Sequence, residues 1–333
     1  MSNTTAESIA VSRRQALAAG LAFSLLPTGA FAQTPLSGRL IPVRDTHLWI
    51  EDYGPREAPA LLYVHGGPGL GVFEFSHYMR DLLTGDVRLI LVDQRGVLRS
   101  DAWTGQPEMT LDLLADDYEA VREALGIRRW SILGHSWGGP IALNYANRHE
   151  AVDRVIFENA VLDPAATGRN MLAHAATMLD EAGLPDKAAA TRAVAARPTT
   201  AAVWAGMDEA LNSLPSRQSL YVYDPAFLGF YGRISADSGI SDERWTQGMA
   251  MALALLDDPD SLAPAWNRIS ALAQPTLIVR GETDPSTSPE EMAVMTAKPN
   301  VRAVLVPRSG HFVHVEQPRA FADLVRSFVL ESG

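Results

Sequence analysis

The feature that most constrains this 333-residue chain is a serine in the pentapeptide GHSWG at residues 134–138. It follows an apolar run at 129–133 that is typical of a buried strand, and it precedes a stretch at 139–146 with a helical pattern. A strand, a tight turn and a helix form the context in which G-x-S-x-G makes a nucleophile elbow. The glycines fit that turn because the serine is held in a strained backbone conformation and neighbouring Cβ atoms would collide. The pattern therefore predicts a nucleophilic Ser136 at the end of a sheet strand.

Apolar runs alternate with helical segments along most of the chain, which predicts an α/β fold. The runs are short and continuous, as expected of strands buried on both faces of a mostly parallel sheet with flanking helices. Helical spacing of apolar residues at 111–125 is followed by Gly126, a typical C-terminal cap. Strands are predicted at 39–43, 46–51, 60–64, 87–92, 129–133, 152–157, 275–279 and 301–306, and the last helix at 318–330.

The alternation stops between residues 163 and 266, where the chain is rich in alanine and helical in pattern. A chain of 333 residues is long enough for two domains, or for one α/β domain with a large insertion. Because strands resume after this segment, we predict a core formed by residues 33–162 and 267–333, with a helical lid, residues 163–266, inserted between its strands. Such a lid lies over the carboxyl ends of the strands, where open α/β sheets bind ligands.

Residues 1–32 have the pattern of an export signal. Arg13 and Arg14 precede a mildly apolar run at 16–26 that is too short to span a bilayer, and residues 30–32 form a small-x-small cleavage site. Adjacent arginines are typical of the twin-arginine pathway, which carries folded proteins. An amphipathic helix, or a general secretory signal that happens to contain two arginines, is the alternative. We expect cleavage after Ala32 and a periplasmic or secreted product.

Composition narrows the partners and cofactors that the protein can use. The formal net charge of −11 argues against nucleic acid and anionic membrane surfaces, because both attract basic patches. The chain has no cysteine, which excludes disulfides, thiolate nucleophiles, cysteine-ligated metals and a lipoprotein-type anchor. We expect a small-molecule or short-peptide substrate, with no metal, no cofactor and no stable membrane anchor.

A serine hydroxyl becomes a strong nucleophile only when an imidazole takes its proton, and a carboxylate must orient that imidazole. In hydrolases with a serine elbow of this type, the acid follows a late strand and the histidine follows the last one. Asp284 comes just after the strand at 275–279, and His311 comes just after the strand at 301–306. We therefore predict a catalytic triad of Ser136, Asp284 and His311.

Other residues near these strands compete for the same roles. Asp163 is the alternative acid, because some hydrolases place the carboxylate one strand earlier. Glu282 is interpreted as a structural neighbour of the acid. His314 is the weaker candidate for the base, because it lies inside the segment that follows the last strand. His65 and His135 are interpreted as structural neighbours of the site.

The negative charge that develops on a substrate carbonyl needs backbone N–H donors in an oxyanion hole. One predicted donor is Trp137, the residue after the nucleophile. The other is predicted in the loop HGGPG at 65–69, which follows the strand at 60–64. Gly67 is the first choice there and Gly66 the second, because glycine lets the backbone approach the substrate closely.

Four segments carry a more specific signal: HGGPG at 65–69, DQRG at 93–96, GHSWGG at 134–139 and SGH at 309–311. Together they resemble the proline iminopeptidase branch of the α/β-hydrolases. The pairing of HGGPG with DQRG is the specific part, because esterases, lactonases and amidases share the elbow. The resemblance spans the predicted core and implies an α/β-hydrolase fold. It also implies a serine peptidase that releases an N-terminal residue, often proline, from a peptide or amide through an acyl-enzyme without metal.

The chain departs from that family at two places. After DQRG the family usually has x-Gly-x-Ser, whereas residues 97–100 read VLRS, so that Leu98 replaces a glycine. Family members also grip the free amine of the substrate with lid glutamates near aromatic residues, and no segment here matches that motif residue by residue. Acidic residues of the lid ordinarily lie on a solvated helix face. Its aromatic residues ordinarily pack inside the lid. The candidates for substrate binding in the lid are Glu209, Glu243, Trp204 and Tyr231.

Three functions are compatible with these residues. The first is an exported serine aminopeptidase or amidase of the iminopeptidase type. The second is a carboxylic ester or lactone hydrolase on the same catalytic residues, favoured if the lid carries no amine-binding acid. The third is a ligand receptor on a hydrolase fold, which would keep its function after Ser136→Ala. Ser136 argues against epoxide hydrolases and dehalogenases, because these use an aspartate nucleophile.

Overall fold

An eight-stranded sheet forms the centre of the structure, a computed structural model that describes residues 37–236 and 238–331. Its strands are β1 Gly38–Val43, β2 Thr46–Tyr53, β3 Ala60–Val64, β4 Arg88–Val92, β5 Trp130–His135, β6 Val152–Glu158, β7 Thr276–Gly281 and β8 Val301–Val306. They lie in the order β1-β2-β4-β3-β5-β6-β7-β8. The β1–β2 and β2–β4 pairs are antiparallel and the remaining pairs are parallel. This confirms the predicted fold class: a mostly parallel sheet, with an antiparallel hairpin of β1 and β2 at one edge.

Helices flank the sheet and fill the long connection between β6 and β7. In the described ranges they are α1 Phe73–Leu83, α2 Leu111–Ala124, α3 Gly138–Arg148, α4 Pro164–Glu181, α5 Pro185–Ala195, α6 Thr200–Leu211, α7 Phe230–Ala236, α8 Asp242–Asp257, α9 Pro259–Leu262, α10 Trp266–Ala271, α11 Pro289–Thr296, α12 Val313–Glu316 and α13 Pro318–Leu330. Two short 3-10 helices, Arg217–Leu220 and Pro225–Phe227, lie between α6 and α7.

The β6–β7 connection has an apolar core of its own. Leu172 and Leu179 of α4 pack with Val203 and Leu211 of α6, and all four are fully buried. Burial of each such side chain stabilises the fold by about 1.5–3 kcal/mol. The lid at 163–266 stays a predicted domain. Its helices pack on one another, which is consistent with that prediction.

The central strands are buried because their residues are apolar on both faces. Leu61 of β3, Leu89 of β4 and Leu133 of β5 have no exposed surface, and they belong to one cluster with Phe75 of α1 and Phe321 of α13. This arrangement is the reason that the strands read as continuous apolar runs without polar alternation.

The parallel register brings the carboxyl ends of six strands, β3 to β8, to one edge of the sheet. Val64 of β3 pairs with Gly134 of β5, and Gly281 of β7 pairs with Val306 of β8. The loops that follow β3, β5, β6, β7 and β8 therefore start at neighbouring points of this edge. These are the loops that carry the predicted catalytic residues.

None of the helices within the described ranges is long and apolar enough to cross a membrane. The predicted export signal at 1–32 lies outside the described residues.

Candidate active site

Ser136 occupies a tight turn between β5 and α3. Its φ is 53°, in the left-handed region that costs a non-glycine residue about 1–2 kcal/mol. The turn is held because the Ser136 N–H donates to the carbonyl of Glu158 (3.0 Å), while its carbonyl accepts from Gly139 N (2.9 Å). The flanking glycines are required sterically: a Cβ on Gly134 would lie 2.5 Å from the carbonyl oxygen of Gly138. The geometry is that of a nucleophile elbow, which exposes a side chain at the sheet edge.

Asp284 and His311 form a buried acid–imidazole pair. The Nδ1 of His311 lies 2.8 Å from Oδ1 of Asp284, which has no exposed surface. Asp284 also accepts from Ser286 Oγ (2.8 and 2.9 Å) and from the backbone N–H of Thr287 (2.9 Å). Burial alone would raise the pKa of Asp284, but the hydrogen bond and charge of His311, with these other donors, lower it. The ionised carboxylate therefore holds the proton of His311 on Nδ1 and leaves Nε2 as the basic atom.

The serine and histidine loops lie side by side. His135 Nε2, next to the elbow, lies 3.1 Å from the carbonyl oxygen of His311, and the two rings are 4.8 Å apart between centroids. Burial keeps the pKa of His135 well below its ordinary value, so that the neutral ring donates from Nε2. Across the residues that the structure describes, Ser136 Oγ and His311 do not form a hydrogen bond, and such contacts often tighten only when substrate binds. The catalytic roles stay a prediction, with the acid and base already paired.

The loop at 65–69 lies against the elbow, where an oxyanion hole is predicted. A Cβ on Gly66 would lie 2.7 Å from the Cβ of Ser136 and 3.3 Å from the backbone nitrogen of Trp137. Gly67 has a φ of 119°, and the atoms nearest to a Cβ built on it would be those of Gly69 and Leu70, at 2.9 Å. Trp137 precedes the first residue of α3, and the first N–H groups of a helix have no intrahelical acceptor. Gly66 and Trp137 thus lie beside the nucleophile, and Gly67 follows Gly66 in the same loop.

The competing residues have structural partners of their own. Asp163, the alternative acid, caps α4 by accepting from the N–H groups of Ala165 and Ala166. Glu282 is exposed and accepts from the backbone of Arg308. His65 accepts from the Gln94 N–H at Nε2 (3.1 Å), and burial lowers its pKa to about 4, so that this ring is neutral.

His314 forms a fully buried ion-pair cluster instead of serving the serine. Its Nδ1 lies 2.7 and 2.8 Å from the two oxygens of Glu158, and its Nε2 lies 2.5 Å from Glu74. Burial alone would lower the pKa of His314, but the two carboxylates outweigh it and raise the pKa to about 10. Ligand atoms of His135, Glu158 and His314 lie within 4.8 Å of one another, which is close enough for a metal ion. However, both ring nitrogens of His314 are engaged by carboxylates, as suits an imidazolium, and an imidazolium has no free lone pair for a metal.

The four candidate substrate-binding residues of the lid lie in two kinds of surroundings. Trp204 packs its ring against Trp137 (5.3 Å between centroids), and Tyr231 packs against Phe312, the residue after the predicted base (5.7 Å). The other two candidates, Glu209 on α6 and Glu243 on α8, are exposed, and no contact links them to the residues around Ser136 within the described ranges. Binding of an ammonium group by these two acids stays a prediction without support from contacts.

Two residues that the sequence did not point to connect the catalytic loops. Asn159 directly follows β6, and its Nδ2 donates to the carbonyl of His311 (2.8 Å) while its Oδ1 accepts from Gly281 N (3.0 Å). Its φ is 44°, in the left-handed region. The sequence signal was the asparagine itself at the end of a predicted strand, because asparagine tolerates this region better than most residues. Ser286 has no such signal, since a serine two residues after an aspartate is ordinary turn composition.

Leu98 adopts a left-handed backbone conformation that glycine would adopt without strain. Its φ is 39°, and its buried side chain packs directly on Gly71, which leaves no room for a Cβ there. Next to it, Arg99 binds Asp93 (2.7 Å) and Glu51 (2.7 Å) inside the fold. The departure from the glycine pattern is thus accommodated by a strained backbone at Leu98 and by the absence of a side chain at Gly71.

Comparison with known proteins supports the same family. A family model described as alpha/beta hydrolase fold matches residues 59–318. A proline iminopeptidase of Neisseria gonorrhoeae is 36% identical over 118 residues, which cover 34% of this chain and 37% of that protein. A protein of Leptolyngbya boryana named "Probable proline iminopeptidase" is 28% identical over 308 residues, covering 84% of this chain and 90% of its own. The aligned segment thus spans little more than a third of the Neisseria protein, but most of the Leptolyngbya one.

A solved structure shows the same fold. The proline iminopeptidase-related protein of Thermus thermophilus superimposes with a TM-score of 0.68 at 24% identity, covering 87% of this chain and 96% of that one.

Proposed function

This chain belongs to the α/β-hydrolase family, and we propose that it is a serine aminopeptidase or amidase that releases an N-terminal residue through an acyl-enzyme. One observation carries the proposal: the buried Asp284–His311 pair, 2.8 Å apart, lies in the loops beside an elbow serine with a φ of 53°. The similarity of the chain to proline iminopeptidases supports the choice of an amide substrate with a free amine.

In the proposed reaction each group has a defined role. Ser136 Oγ attacks the carbonyl carbon while His311 Nε2 takes the hydroxyl proton, and Asp284 stabilises the imidazolium that forms. The N–H groups of Trp137 and Gly67 bind the oxyanion of the tetrahedral intermediate, and loss of one such donor typically costs about 10²–10³ in kcat. The imidazolium then protonates the leaving amine as the C–N bond breaks. Water activated by His311 hydrolyses the acyl-enzyme and restores the serine.

Hydrolysis of an ester or lactone is the second candidate function. The exposed positions of Glu209 and Glu243 favour it, because neither acid contacts the elbow or the histidine loop within the described chain. An ester substrate needs no carboxylate partner for an amine, and the same serine, histidine and oxyanion donors would suffice.

Initial rates on three chromogenic substrates separate these functions. They are a proline anilide with a free amine, the same anilide with its amine acetylated, and a short-chain aryl ester. Ser136→Ala is the inactive variant, and Ser270→Ala, which changes an exposed serine on α10, is its matched control.

Each result selects one function. Turnover of the free-amine anilide but not of the acetylated one supports the aminopeptidase. Turnover of the ester alone overturns the aminopeptidase and leaves an esterase or lactonase. If wild type turns over none of the three, or if Ser136→Ala keeps the wild-type rate, the proposed serine chemistry is wrong.

We also propose that the chain is exported through the twin-arginine pathway and acts outside the cytoplasm. The support is the sequence alone, with Arg13 and Arg14 ahead of a short apolar run. Expression of the whole chain in a Gram-negative host, followed by mass determination of the periplasmic product, tests cleavage after Ala32. Replacement of both arginines by lysine tests the pathway, since retained export would contradict it.

A further inference from the structure

We propose that the lid is a fixed part of the catalytic centre: Gly248 on α8 positions the oxyanion loop, and Glu316 on α12 ties the histidine loop to the lid. The inference rests on the proposed serine-hydrolase function. It adds two positioning residues, neither of which touches the reacting atoms.

The first attachment is a contact between two glycine backbones. Gly69 ends the loop HGGPG, and Gly248 lies in the interior of lid helix α8; both are buried. A Cβ on Gly69 would lie 2.5 Å from the carbonyl oxygen of Gly248, and a Cβ on Gly248 would overlap the carbonyl oxygen of Gly69. The loop and the helix therefore touch main chain to main chain, and any side chain at either position would separate them.

A glycine at position 248 lowers the stability of the helix that contains it. A glycine in a helix interior is about 1 kcal/mol less favourable than alanine. Helix α8 runs from Asp242 to Asp257, so Gly248 is well inside it. Close approach to the oxyanion loop gives a physical reason for a glycine at a position where alanine would make a better helix.

Polar and aromatic contacts fix the position of α8 on the core. Arg244, one turn ahead of Gly248, and Gln247, directly before it, both donate to the carbonyl of Ser100 at 3.0 Å. Trp245 packs edge-on against Phe73, the first residue of α1, with 5.8 Å between ring centroids. The turn of the helix that leads into Gly248 is thus held on the core next to its contact with the loop.

The second attachment joins the lid to the loop of the predicted base. The N–H of His311 donates to the carbonyl of Tyr221 in the lid (2.7 Å). Glu316 completes the contact: its Oε1 accepts from Tyr223 N (2.7 Å) and Asp224 N (2.9 Å), and its Oε2 accepts from Gly310 N (2.6 Å). One carboxylate therefore satisfies two backbone donors of the lid and one of the histidine loop.

These two attachments reach both halves of the catalytic apparatus. Oxyanion donors act only when they lie within about 2.7–3.1 Å of the oxygen that becomes charged, and a shift of about 1 Å can cost 10²-fold in rate. A methyl group wedged between α8 and the loop would move the loop by such an amount. In this proposal the lid therefore helps to set the catalytic geometry.

Gly248→Ala tests the first attachment, and Gly232→Ala is its matched control. Gly232 lies in lid helix α7, is exposed, and a Cβ there meets nothing within 4 Å. For Gly248→Ala we expect kcat to fall at least tenfold with KM changed less than threefold, and for Gly232→Ala wild-type kinetics. This split identifies positioning, because a helix that merely loses packing would lower the melting temperature without selecting kcat.

Glu316→Gln tests the second attachment independently, with Glu290→Gln on the exposed start of α11 as its control. The new side-chain amide presents N–H donors toward backbone N–H groups and cannot accept all three bonds. We expect a lower kcat and a displaced acid limb in the pH profile of kcat/KM, because the histidine loop moves relative to Asp284.

Labelling of Ser136 by a fluorophosphonate provides a readout that needs no particular acyl group. The Oγ–P bond forms, the P–F bond breaks, fluoride leaves, and the hydroxyl proton passes to His311. If wild type is not labelled, the proposed serine chemistry fails. If wild type is labelled and Gly248→Ala or Glu316→Gln reacts at the same rate as its control, that attachment is wrong. Should Gly248→Ala not fold, the Glu316→Gln result decides whether the lid positions the site.

Discussion

Ser286 Oγ lies 2.8 and 2.9 Å from the two carboxylate oxygens of Asp284, on the side of the acid that also faces His311. The same hydroxyl is 3.2 Å from His311 Nδ1. Its O–H competes with the imidazole for the charge of Asp284, so that the strength of the acid–base pair depends on this serine.

Removal of that hydroxyl should strengthen the pull of Asp284 on the histidine. In Ser286→Ala the carboxylate loses a donor, and its charge stabilises the imidazolium more fully. We expect the acid limb of the kcat/KM profile to move to higher pH. Ser270→Ala should leave the profile unchanged, and a limb that stays in place or moves to lower pH in Ser286→Ala would contradict this account.

The Glu74–His314–Glu158 cluster should make stability fall in alkaline solution. The pKa of His314 is raised from an ordinary value of about 6.5 to about 10, so the folded protein keeps a proton that the unfolded chain releases. The stabilisation is fully present below pH 6.5 and is lost as the pH rises toward 10, by up to about 1.4 kcal/mol per pH unit. Urea unfolding at pH 7, 8, 9 and 10 measures this slope.

A histidine at the surface provides the comparison. His47 is exposed and pairs with Asp101, so His47→Gln should retain the alkaline slope. A wild-type free energy of unfolding that stays level from pH 7 to 10 would show that His314 does not hold its proton. Replacement of His314 by glutamine should cost about 3–5 kcal/mol, because two buried carboxylates lose their partner.

Substitution of Asn159 should lower both the stability of the fold and kcat. In Asn159→Ala the N–H of Gly281 and the carbonyls of Gly310 and His311 lose a buried partner, at a cost of about 2–4 kcal/mol. Because the amide joins the end of β7 to the loop that follows β8, we also expect kcat to fall about 10–100-fold. Asn147→Ala, at an exposed asparagine that bonds to Arg268, should leave kcat unchanged. Equal kcat values for the two variants would limit Asn159 to a structural role.

At position 98 the glycine variant should be more stable than the alanine variant, which is the reverse of the usual order. Both Leu98→Ala and Leu98→Gly lose buried packing against Gly71, at about 2–5 kcal/mol. At a φ of 39°, however, glycine avoids a penalty of about 1–2 kcal/mol, so Leu98→Gly should be the more stable of the two. At the exposed strand residue Leu40 the alanine variant should be more stable, by about 0.5–1 kcal/mol. Melting temperatures of the four variants measure both orders.

Strands and helices with a clear apolar periodicity could be predicted from the sequence. The last strand and the last helix occupy the predicted residues, Val301–Val306 and Pro318–Leu330, because apolar runs and helical spacing are properties of short segments. The order of strands and helices then predicted that Ser136, Asp284 and His311 would start from one edge of the sheet. The individual lid helices were beyond this approach, since an alanine-rich segment has weak periodicity.

The sequence by itself determined the element types, the mostly parallel sheet and the candidate chemistry, because each depends on residues that are neighbours in the chain. Only the tertiary structure decided which groups hold the site together. Asp284 could be paired with Ser286 only after the turn between them was known, and His314 could be assigned to Glu74 and Glu158 only after distant segments were packed. The contact of Gly69 with Gly248 depends on two backbones from remote parts of the chain, and no residue pattern near either glycine specifies the other.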